Sequence, residues 1–309
     1  MSFKIMWILA VVAVSISCEA KNEENDDITD ILKIISYPDR ENDFSLWQLE
    51  GRNHVQMAYI IRTDDSKIIV IDGGLPESED TLTQYLKQLN GVVDTWIVTH
   101  PHIDHAGALL KIIPKKQIKI KRILHVKLQE EWVKLYEASS LDFFNQYNNV
   151  VNHSQIPLID VEVGETFLLG KGVIMKVLGA RNDIVTKNAI NNSSMAFKIS
   201  GQSKSVLFLG DLGIEGGNAI LNRTSLEELQ ADYVQMSHHG QNGVDKIFYE
   251  SVKAKYALWP TPVWLWDNNL DNKGVNSGKW NTVVVREWMT ELKIIKNYVV
   301  GLEGTVQID

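Results

Sequence analysis

Three histidines and one aspartate lie within six residues of each other, in the segment Thr99-His100-Pro101-His102-Ile103-Asp104-His105-Ala106-Gly107. Imidazole and carboxylate groups are ligands for Zn, Mn or Fe, and such a dense group of them is rarely a chance match. In extended backbone, residues two apart face the same side, so His100 and His102 can bind one ion. The turn that follows directs Asp104 and His105 toward a second ion. The spacing therefore predicts a metal centre with two ions.

The composition restricts the other chemistry that is open to the chain. It has 309 residues, eight His and a single Cys, Cys18, which excludes an internal disulfide framework and a Cys-based zinc cluster. This length is ample for a substantial core, so a metal is not needed merely to hold the fold together. The net charge of −8 argues against nucleic acid as an obligatory partner, because Lys and Arg drive polyphosphate binding.

The elements that must position the His-rich segment alternate short apolar runs with helical patterns, without an internal repeat or a flexible linker. Strands are predicted at Phe44 to Leu49, Met57 to Arg62, Ile68 to Ile71, Trp96 to Thr99, Ile118 to Val126, Thr166 to Leu169, Val173 to Leu178, Ala196 to Ile199, Val206 to Leu209 and Tyr233 to Met236. Helices are predicted at Glu77 to Leu89, Ala106 to Ile113, Gln129 to Tyr147 and Trp280 to Leu292. The lysines along Ile118 to Leu124 favour a solvated edge strand over an anion-binding patch.

The first twenty residues have the pattern of a secretory signal peptide. A short positive start, Met1 to Lys4, precedes an apolar run from Ile5 to Ser17, and small residues lead to a cleavage position after Ala20. The run is too short to span a membrane. The alternative is lipidation at Cys18, where a poor lipobox can be recognised. We therefore expect a secreted protein with a signal peptide at 1–20, a polar leader at 21–40 and one continuous domain at 41–309.

The His-x-His-x-Asp-His segment resembles the signature of the metallo-β-lactamase fold hydrolases. The strand Ile68 to Asp72, followed by two glycines, resembles the early strand of that family, whose aspartate hydrogen-bonds a metal-binding His; Asp72 is thus expected to orient a ligand. Asp211, which follows the apolar run Val206 to Leu209, resembles the aspartate that bridges both metals. The resemblance implies an α/β (α+β) fold, a four-layer αββα sandwich, with two ions that are expected to be zinc, or alternatively Mn or Fe.

A late segment, Val234 to Gly240, contains His-His-Gly and resembles competence-type DNA-uptake proteins and extracellular phosphorylcholine esterases. It implies His239 as a metal ligand and His238 as a contact to substrate oxygen or a proton carrier, although the reverse assignment stays open. Asp104 and His238 are the residues expected to take part in catalysis. The implied metal ligands are His100, His102, Asp104, His105, Asp211 and His239.

The chain departs from the family pattern in the middle, where most members have a third His for the first ion. Here the sequence is Gly179 to Asp183, and no His lies between His153 and His238. The Asn191-Asn192-Ser193-Ser194 segment that follows resembles the same branch, in which water or substrate can complete the ligand shell. An open position of this kind is what catalysis requires. Ordinary core or surface roles are predicted for the other histidines, His54, His125 and His153.

Several other residues are candidates for substrate contacts. Arg181 or His238 could stabilise developing negative charge. The aromatic run from Trp259 to Trp266 could place Trp264 and Trp266 at the rim of the site, where they would stack on a base or hold a choline-like cation; core packing or a dimer contact is the alternative. The two asparagines of the Asn-Asn-x-Ser segment, Asn191 and Asn192, complete the predicted set.

These observations predict a secreted hydrolase in which two ions activate water and polarise a carbonyl or phosphoryl oxygen. A phosphodiester or phosphoester of a small molecule is the expected substrate, because the His-His-Gly motif, the Asn-Asn-x-Ser segment and the missing His together resemble those branches. Hydrolysis of a thioester, a lactone or a β-lactam is the alternative within the same fold. A different class is also open, a non-catalytic metal-binding module with an incomplete first site.

Overall fold

The computed structural model describes residues 41–51 and 53–308. The predicted signal peptide, the polar leader and Cys18 lie outside the described residues. Within those residues, no helix is both long enough and apolar enough to cross a membrane.

Strands and helices alternate along most of the described chain. The strands are β1 (Phe44–Gln48), β2 (Ala58–Thr63), β3 (Ile68–Asp72), β4 (Val92–Val93), β5 (Thr95–Ile97), β6 (Lys119–Ile120), β7 (Ile123–His125), β8 (Leu158–Asp160), β9 (Thr166–Gly170), β10 (Val173–Gly179), β11 (Ala196–Ser200), β12 (Ser205–Phe208), β13 (Tyr233–Gln235), β14 (Tyr256–Trp259), β15 (Lys296–Val299) and β16 (Val306–Ile308). The helices are α1 (Glu79–Gln88), α2 (Ile103–Lys115), α3 (Glu130–Tyr136), α4 (Leu141–His153), α5 (Ile214–Leu221), α6 (Leu226–Leu229), α7 (Lys246–Val252), α8 (Val263–Trp266), α9 (Thr282–Glu291) and α10 (Val300–Glu303).

Two seven-stranded sheets form the body of the described part of the chain. The first has the order β16-β1-β2-β3-β5-β7-β8 and the second has the order β15-β14-β13-β12-β11-β10-β9, while β4 pairs separately with β6. Each sheet is antiparallel on one side and parallel on the other, with β3, β5, β7 and β8 parallel in the first and β12 to β15 parallel in the second. Parallel strands are usually covered on both faces, which agrees with their apolar sequences.

The main core lies between the two sheets and is built by alternation along the strands. In β2, Tyr59 and Ile61 belong to this inner core, whereas Ala58 and Ile60 point to the opposite face and pack under α1 and α2. Tyr59 meets Phe208 of the second sheet edge to face, with ring centroids 5.2 Å apart. A third apolar cluster lies between the second sheet and helices α5, α7 and α9. The layers are helix, sheet, sheet and helix, as the predicted αββα sandwich requires.

Two of the predicted elements were wrong in their continuity. The helix predicted at Gln129 to Tyr147 is two helices, α3 and α4, separated at Glu137, whose φ of −149° and ψ of 53° are not helical. The strand predicted at Ile118 to Val126 is divided into β6 and β7, and β7 lies inside the first sheet rather than at its edge. Alternation alone could not reveal this break, because the apolar residues on both sides of it, Ile120 and Ile123, are buried in the same cluster.

Candidate metal centre

The predicted site residues follow the carboxyl ends of strands from both sheets. Asp72 is the last residue of β3, and the His-rich segment comes directly after β5. From the second sheet, Asp211 follows β12 and His239 follows β13. These ends of parallel strands meet at one edge of an α/β structure, where ligand sites are commonly found. The fold therefore brings together residues that are far apart in the sequence.

Four of these side chains form a compact cluster, with donor atoms of Asp104, His105, Asp211 and His239 all within 4.8 Å of one another. His105 Nε2 lies 3.2 Å from Asp211 Oδ1, and His239 Nε2 lies 3.4 Å from Asp211 Oδ2 and 3.3 Å from Asp104 Oδ2. Donors about 2.0–2.1 Å from a tetrahedral ion would be about 3.3 Å apart. Asp211 Oδ1 is also buried without a hydrogen-bond partner. The donor set fits a divalent cation.

The two histidines of this cluster are held from behind by groups that can only accept hydrogen bonds. His105 Nδ1 lies 2.7 Å from Asp72 Oδ2, and His239 Nδ1 lies 3.2 Å from the carbonyl oxygen of Pro260. Each ring therefore donates its Nδ1–H outward, and each Nε2 faces the cluster. The two Nε2 atoms are 3.3 Å apart. A metal-binding His is typically held in this way, and Asp72 has the orienting position that was predicted for it.

A second pair of nitrogens lies beside the first cluster, with His100 Nε2 only 3.1 Å from His102 Nδ1. The Thr99 hydroxyl donates its proton to Asp72 and lies 3.1 Å from His100 Nδ1, and the Ser194 hydroxyl lies 3.2 Å from the same nitrogen. His102 Nε2 lies 2.7 Å from Glu137 Oε1, and a carboxylate can only accept. Each of the two facing nitrogens would offer its lone pair to a metal ion in place of the hydrogen bond that joins the rings in the absence of metal. This pair is therefore suited to hold a first ion, as the spacing of the two histidines predicts.

The cluster is strongly polarised by its own charges. Burial lowers the pKa of His100 well below its ordinary value, and the neighbouring His105 and His102 lower it further. Burial acts in the same direction on His239, but Asp211 and Asp104 outweigh it and raise the pKa of His239 to about 9. The surrounding histidines in turn hold the pKa of Asp211 well below its usual range in spite of burial. The carboxylates are thus ionised and attract cations, and a metal ion would displace protons.

The His-His-Gly turn separates the roles of its two histidines. His239 is buried inside the cluster, whereas the side chain of His238 is 20% exposed, with its Nε2 3.7 Å from Asp211 Oδ2. The amide nitrogen of Asn191 lies 3.5 Å from the same Nε2, and Asn191 Oδ1 is buried without a hydrogen-bond partner. This placement agrees with His239 as the ligand and with His238 and Asn191 as groups at the open side of the cluster.

The remaining predicted substrate residues make their contacts elsewhere. Asn192 is 1% exposed, and its side-chain oxygen accepts from the backbone N–H groups of Gly213 and Gly216, so its amide braces the loop after Asp211. Arg181 lies against Asp160 and Asp183 on the surface, with N–O distances of 3.6 and 3.4 Å.

The two tryptophans predicted to line the rim of the site, Trp264 and Trp266, pack in different surroundings. Trp266 packs edge to face against Trp259, and the guanidinium group of Arg286 lies over the Trp266 ring, 4.0 Å from its centroid. Trp264 donates to the carbonyl oxygen of Asn53 at 3.0 Å and packs beside Trp280. Trp266 therefore serves packing between α8 and α9, while Trp264 joins the aromatic run to the loop that precedes β2.

The other three histidines lie outside the cluster. His125 is buried beside Tyr147, His153 bonds the carbonyl oxygen of Asn149, and His54 is exposed.

Two residues that contact the predicted ligands were not predicted from the sequence. Glu137 bonds His102, and the hydroxyl of Ser194 contacts His100 Nδ1 at 3.2 Å. Ser194 belongs to the Asn-Asn-x-Ser segment, so that motif carried a usable signal. Glu137 lies in a region predicted as continuous helix, and nothing local marked it.

Comparison with known proteins agrees with this geometry. A sequence profile of the Metallo-beta-lactamase superfamily matches residues 51–243. The chain belongs to the metallo-beta-lactamase superfamily, which confirms the family resemblance and the prediction of a metallo-hydrolase.

Solved structures with the same fold are distant in sequence. Igni18, a metallo hydrolase from the archaeon Ignicoccus hospitalis, shares 15% identity with a TM-score of 0.50, and the match covers 86% of this chain and 99% of Igni18. CmlA, a diiron β-hydroxylase from Streptomyces venezuelae, shares 13% identity with a TM-score of 0.53, over 88% of this chain and 55% of CmlA. At these identities the likeness concerns the fold alone. A comparison with curated proteins found no match.

Proposed function

We propose that the protein is a secreted hydrolase that uses a two-ion centre to cleave a phosphodiester or another phosphoester of a small molecule. The observation that carries the proposal is the contact between two donor sets: the cluster of Asp104, His105, Asp211 and His239, and the facing nitrogens of His100 and His102. The rings of His100 and His105 lie 4.0 Å apart, which makes the two sets neighbours. Secretion rests on the signal-like pattern of residues 1–20.

Zinc is the proposed metal because imidazole and carboxylate donors at these spacings suit it, with Mn or Fe as the alternatives. CmlA, with the same fold, is a diiron protein, so iron belongs in any metal test. Bound divalent ions would supply a nucleophile from water near neutral pH and polarise the oxygen of the scissile bond.

The chain itself supplies groups to handle the proton and the substrate. Burial lowers the pKa of His238, although Asp211 opposes the shift, so this imidazole is neutral at pH 7 and can accept a proton. Asn191 Oδ1 is buried and unpaired beside it, and can accept a hydrogen bond from a substrate hydroxyl or from water. Asp104 faces His239 and completes the acidic side of the cluster. We assign catalysis to His238 and Asp104, and substrate contact to Asn191.

The phosphoester choice is supported by the sequence motifs. The His-His-Gly turn, the Asn191 to Ser194 segment and the lack of a third His together resemble the branches that act on phosphodiesters. The net charge of −8 favours a small ester over a long nucleic acid.

The test is a substrate panel on the protein without residues 1–20, loaded separately with Zn, Mn or Fe. The panel contains bis-p-nitrophenyl phosphate, p-nitrophenyl-phosphorylcholine, nitrocefin and a lactone. We expect turnover of at least one phosphoester. Hydrolysis of nitrocefin or the lactone with neither phosphoester cleaved would overturn the choice of bond. One bound ion or none, with no turnover in the whole panel, would favour the metal-binding module with an incomplete first site.

A further inference from the structure

The break between α3 and α4 gives Glu137 an unusual position. Its non-helical backbone ends α3, and the short 3-10 turn Ala138–Ser140 carries the chain into α4. The carboxylate is thereby directed to the candidate centre rather than to solvent, and its side chain is only 16% exposed. If the helix continued through Glu137, the chain would not turn at this residue, and the carboxylate would not be directed to the centre in the same way.

Glu137 is the group that holds His102 from behind. Its Oε1 lies 2.7 Å from His102 Nε2, and the Ser140 hydroxyl donates to the same oxygen at 3.0 Å. Because a carboxylate can only accept, a ring N–H must be on Nε2, and in the neutral ring Nδ1 is then the nitrogen that carries the lone pair and faces His100 Nε2. Asp72 and the Pro260 carbonyl perform the equivalent task for His105 and His239.

The second carboxylate oxygen connects this arrangement to another part of the chain. Glu137 Oε2 accepts the backbone N–H of Ile190 at 2.9 Å. Ile190 directly precedes Asn191, which contacts His238, and Ser194 of the same segment contacts His100. One side chain therefore fixes both the ring of His102 and the loop that borders the open side of the cluster.

We propose that Glu137 is the positioning residue for the first ion of the centre. It selects the His102 tautomer and the ring orientation that make Nδ1 available as a ligand. This inference rests on the two-ion centre of the proposed function. The first ion has only two histidine ligands, His100 and His102, in place of the usual three. Its binding therefore depends strongly on the orientation of each ring. Loss of a carboxylate that orients a ligand typically weakens metal binding about 10- to 100-fold.

The experiment compares Glu137→Ala, Glu137→Gln and a matched control, Glu131→Gln, which changes an exposed residue of α3, the helix that ends at Glu137. Zinc content is measured by mass spectrometry after dialysis, and affinity by competition with a chromogenic chelator. We expect two ions in the wild type and the control. Glu137→Ala should retain one tight ion and bind the other about 10- to 100-fold more weakly. Glu137→Gln, which keeps an acceptor oxygen, should lie between them.

A second measurement reads the tautomer directly and needs no metal. In the metal-free protein with ¹⁵N-labelled histidine, NMR should show His102 with its proton on Nε2. Glu137→Ala should shift His102 toward a mixture of tautomers, and Glu131→Gln should not. In a His102→Ala background, Glu137→Ala should cause no further loss of zinc affinity, because the carboxylate acts through that ring.

The results separate this inference from the proposed function. Wild-type zinc affinity in Glu137→Ala, or an unchanged His102 tautomer, would overturn the role of Glu137 whatever the enzyme hydrolyses. A two-ion wild type that cleaves no phosphoester would overturn the proposed function, while a weakened first ion in Glu137→Ala would still support the positioning role. A wild type that binds fewer than two ions after loading would overturn both.

Discussion

Asp211 is the residue on which the candidate centre depends most. One of its oxygens faces His105 and the other faces His239 and His238, and Oδ1 lacks a hydrogen-bond partner although it is buried. A buried carboxylate oxygen without a partner costs free energy unless a cation compensates it. Because Asp211 faces three histidines of the site, a substitution at this position tests whether the cluster binds metal.

Asp211→Asn keeps the size of the side chain and removes its charge. We expect bound metal to fall from two equivalents to one or fewer, and hydrolysis to fall at least about 100-fold, since the change removes a proposed ligand rather than an orienting group. Metal content and turnover are measured on the same preparation. Asp271→Asn, on an exposed loop, is the control and should match the wild type. Two equivalents retained in Asp211→Asn would refute the assigned role.

At the residue scale, the sequence was most informative where the chemistry is local. His100, His102, Asp104 and His105 could be assigned together because they share one short segment. Glu137 could not be assigned, because its meeting with His102 depends on where α4 packs. Asn192 was assigned to substrate contact from its motif, but its side chain accepts from the backbone of Gly213 and Gly216 instead. The motif alone does not show which of the two asparagines is available to a substrate.

At the scale of elements, the turn Ser237–Gly240 sets the geometry of the centre. His238, His239 and Gly240 have φ values of 53°, 56° and 76°, so three residues in succession are left-handed. Such backbone is costly for a residue with a side chain, and functional sites commonly contain this kind of strain. A Cβ on Gly240 would also lie 2.3 Å from the ring of Trp259, which explains why glycine follows the two histidines.

Gly240→Ala should destabilise the protein by about 2–4 kcal/mol, through left-handed backbone strain and a clash with Trp259. The free energy of unfolding is measured by urea denaturation of the metal-free protein. Gly164→Ala is a matched control, because its φ of 92° is also left-handed but nothing lies within 4 Å of the added Cβ. It should cost only about 1–2 kcal/mol. Equal losses in the two variants would show that the contact with Trp259 is unimportant.

The prediction of elements succeeded where hydrophobic periodicity was strong and failed at interruptions. The strands before the His-rich segment, β1, β2, β3 and β5, were predicted within a few residues of their observed limits. The break at Glu137 was not predicted because the residues on both sides of it continue a helical pattern. Tertiary contacts of Glu137 with His102 and Ile190 override the local preference for a helix. The pairing of β7 within the sheet depends on β5 and β8, which a local pattern does not specify.

At the scale of the whole molecule, the packing of the first sheet against α4 buries a titratable group away from the metal centre. His125 ends β7, contacts the Tyr147 hydroxyl at 3.2 Å and is 4% exposed. Burial lowers its pKa from 6.5 to about 4, with Lys127 adding to the shift and Asp160 opposing it. The folded state thus favours the neutral ring more than the unfolded chain does.

The stabilising effect of neutral His125 should be fully present above about pH 6.5 and lost as the pH falls toward 4. Between pH 7 and pH 4.5, the wild type should lose roughly 2–3 kcal/mol more unfolding free energy than His125→Gln. Chemical denaturation in chelator across this range measures the difference, and the histidines of the centre are present in both proteins. Parallel stability curves would contradict the assignment.

The pairing of β1 with β16 has a consequence for how the protein is made. The second sheet is assembled from a continuous stretch of chain, but the first sheet places Val306–Ile308 beside Phe44–Gln48, its earliest described strand. Until the ribosome has delivered Val306–Ile308, β1 lacks the strand that pairs with one side of its backbone in the described structure, and an open apolar edge invites association between chains. This sheet therefore cannot be sealed before synthesis has passed these residues.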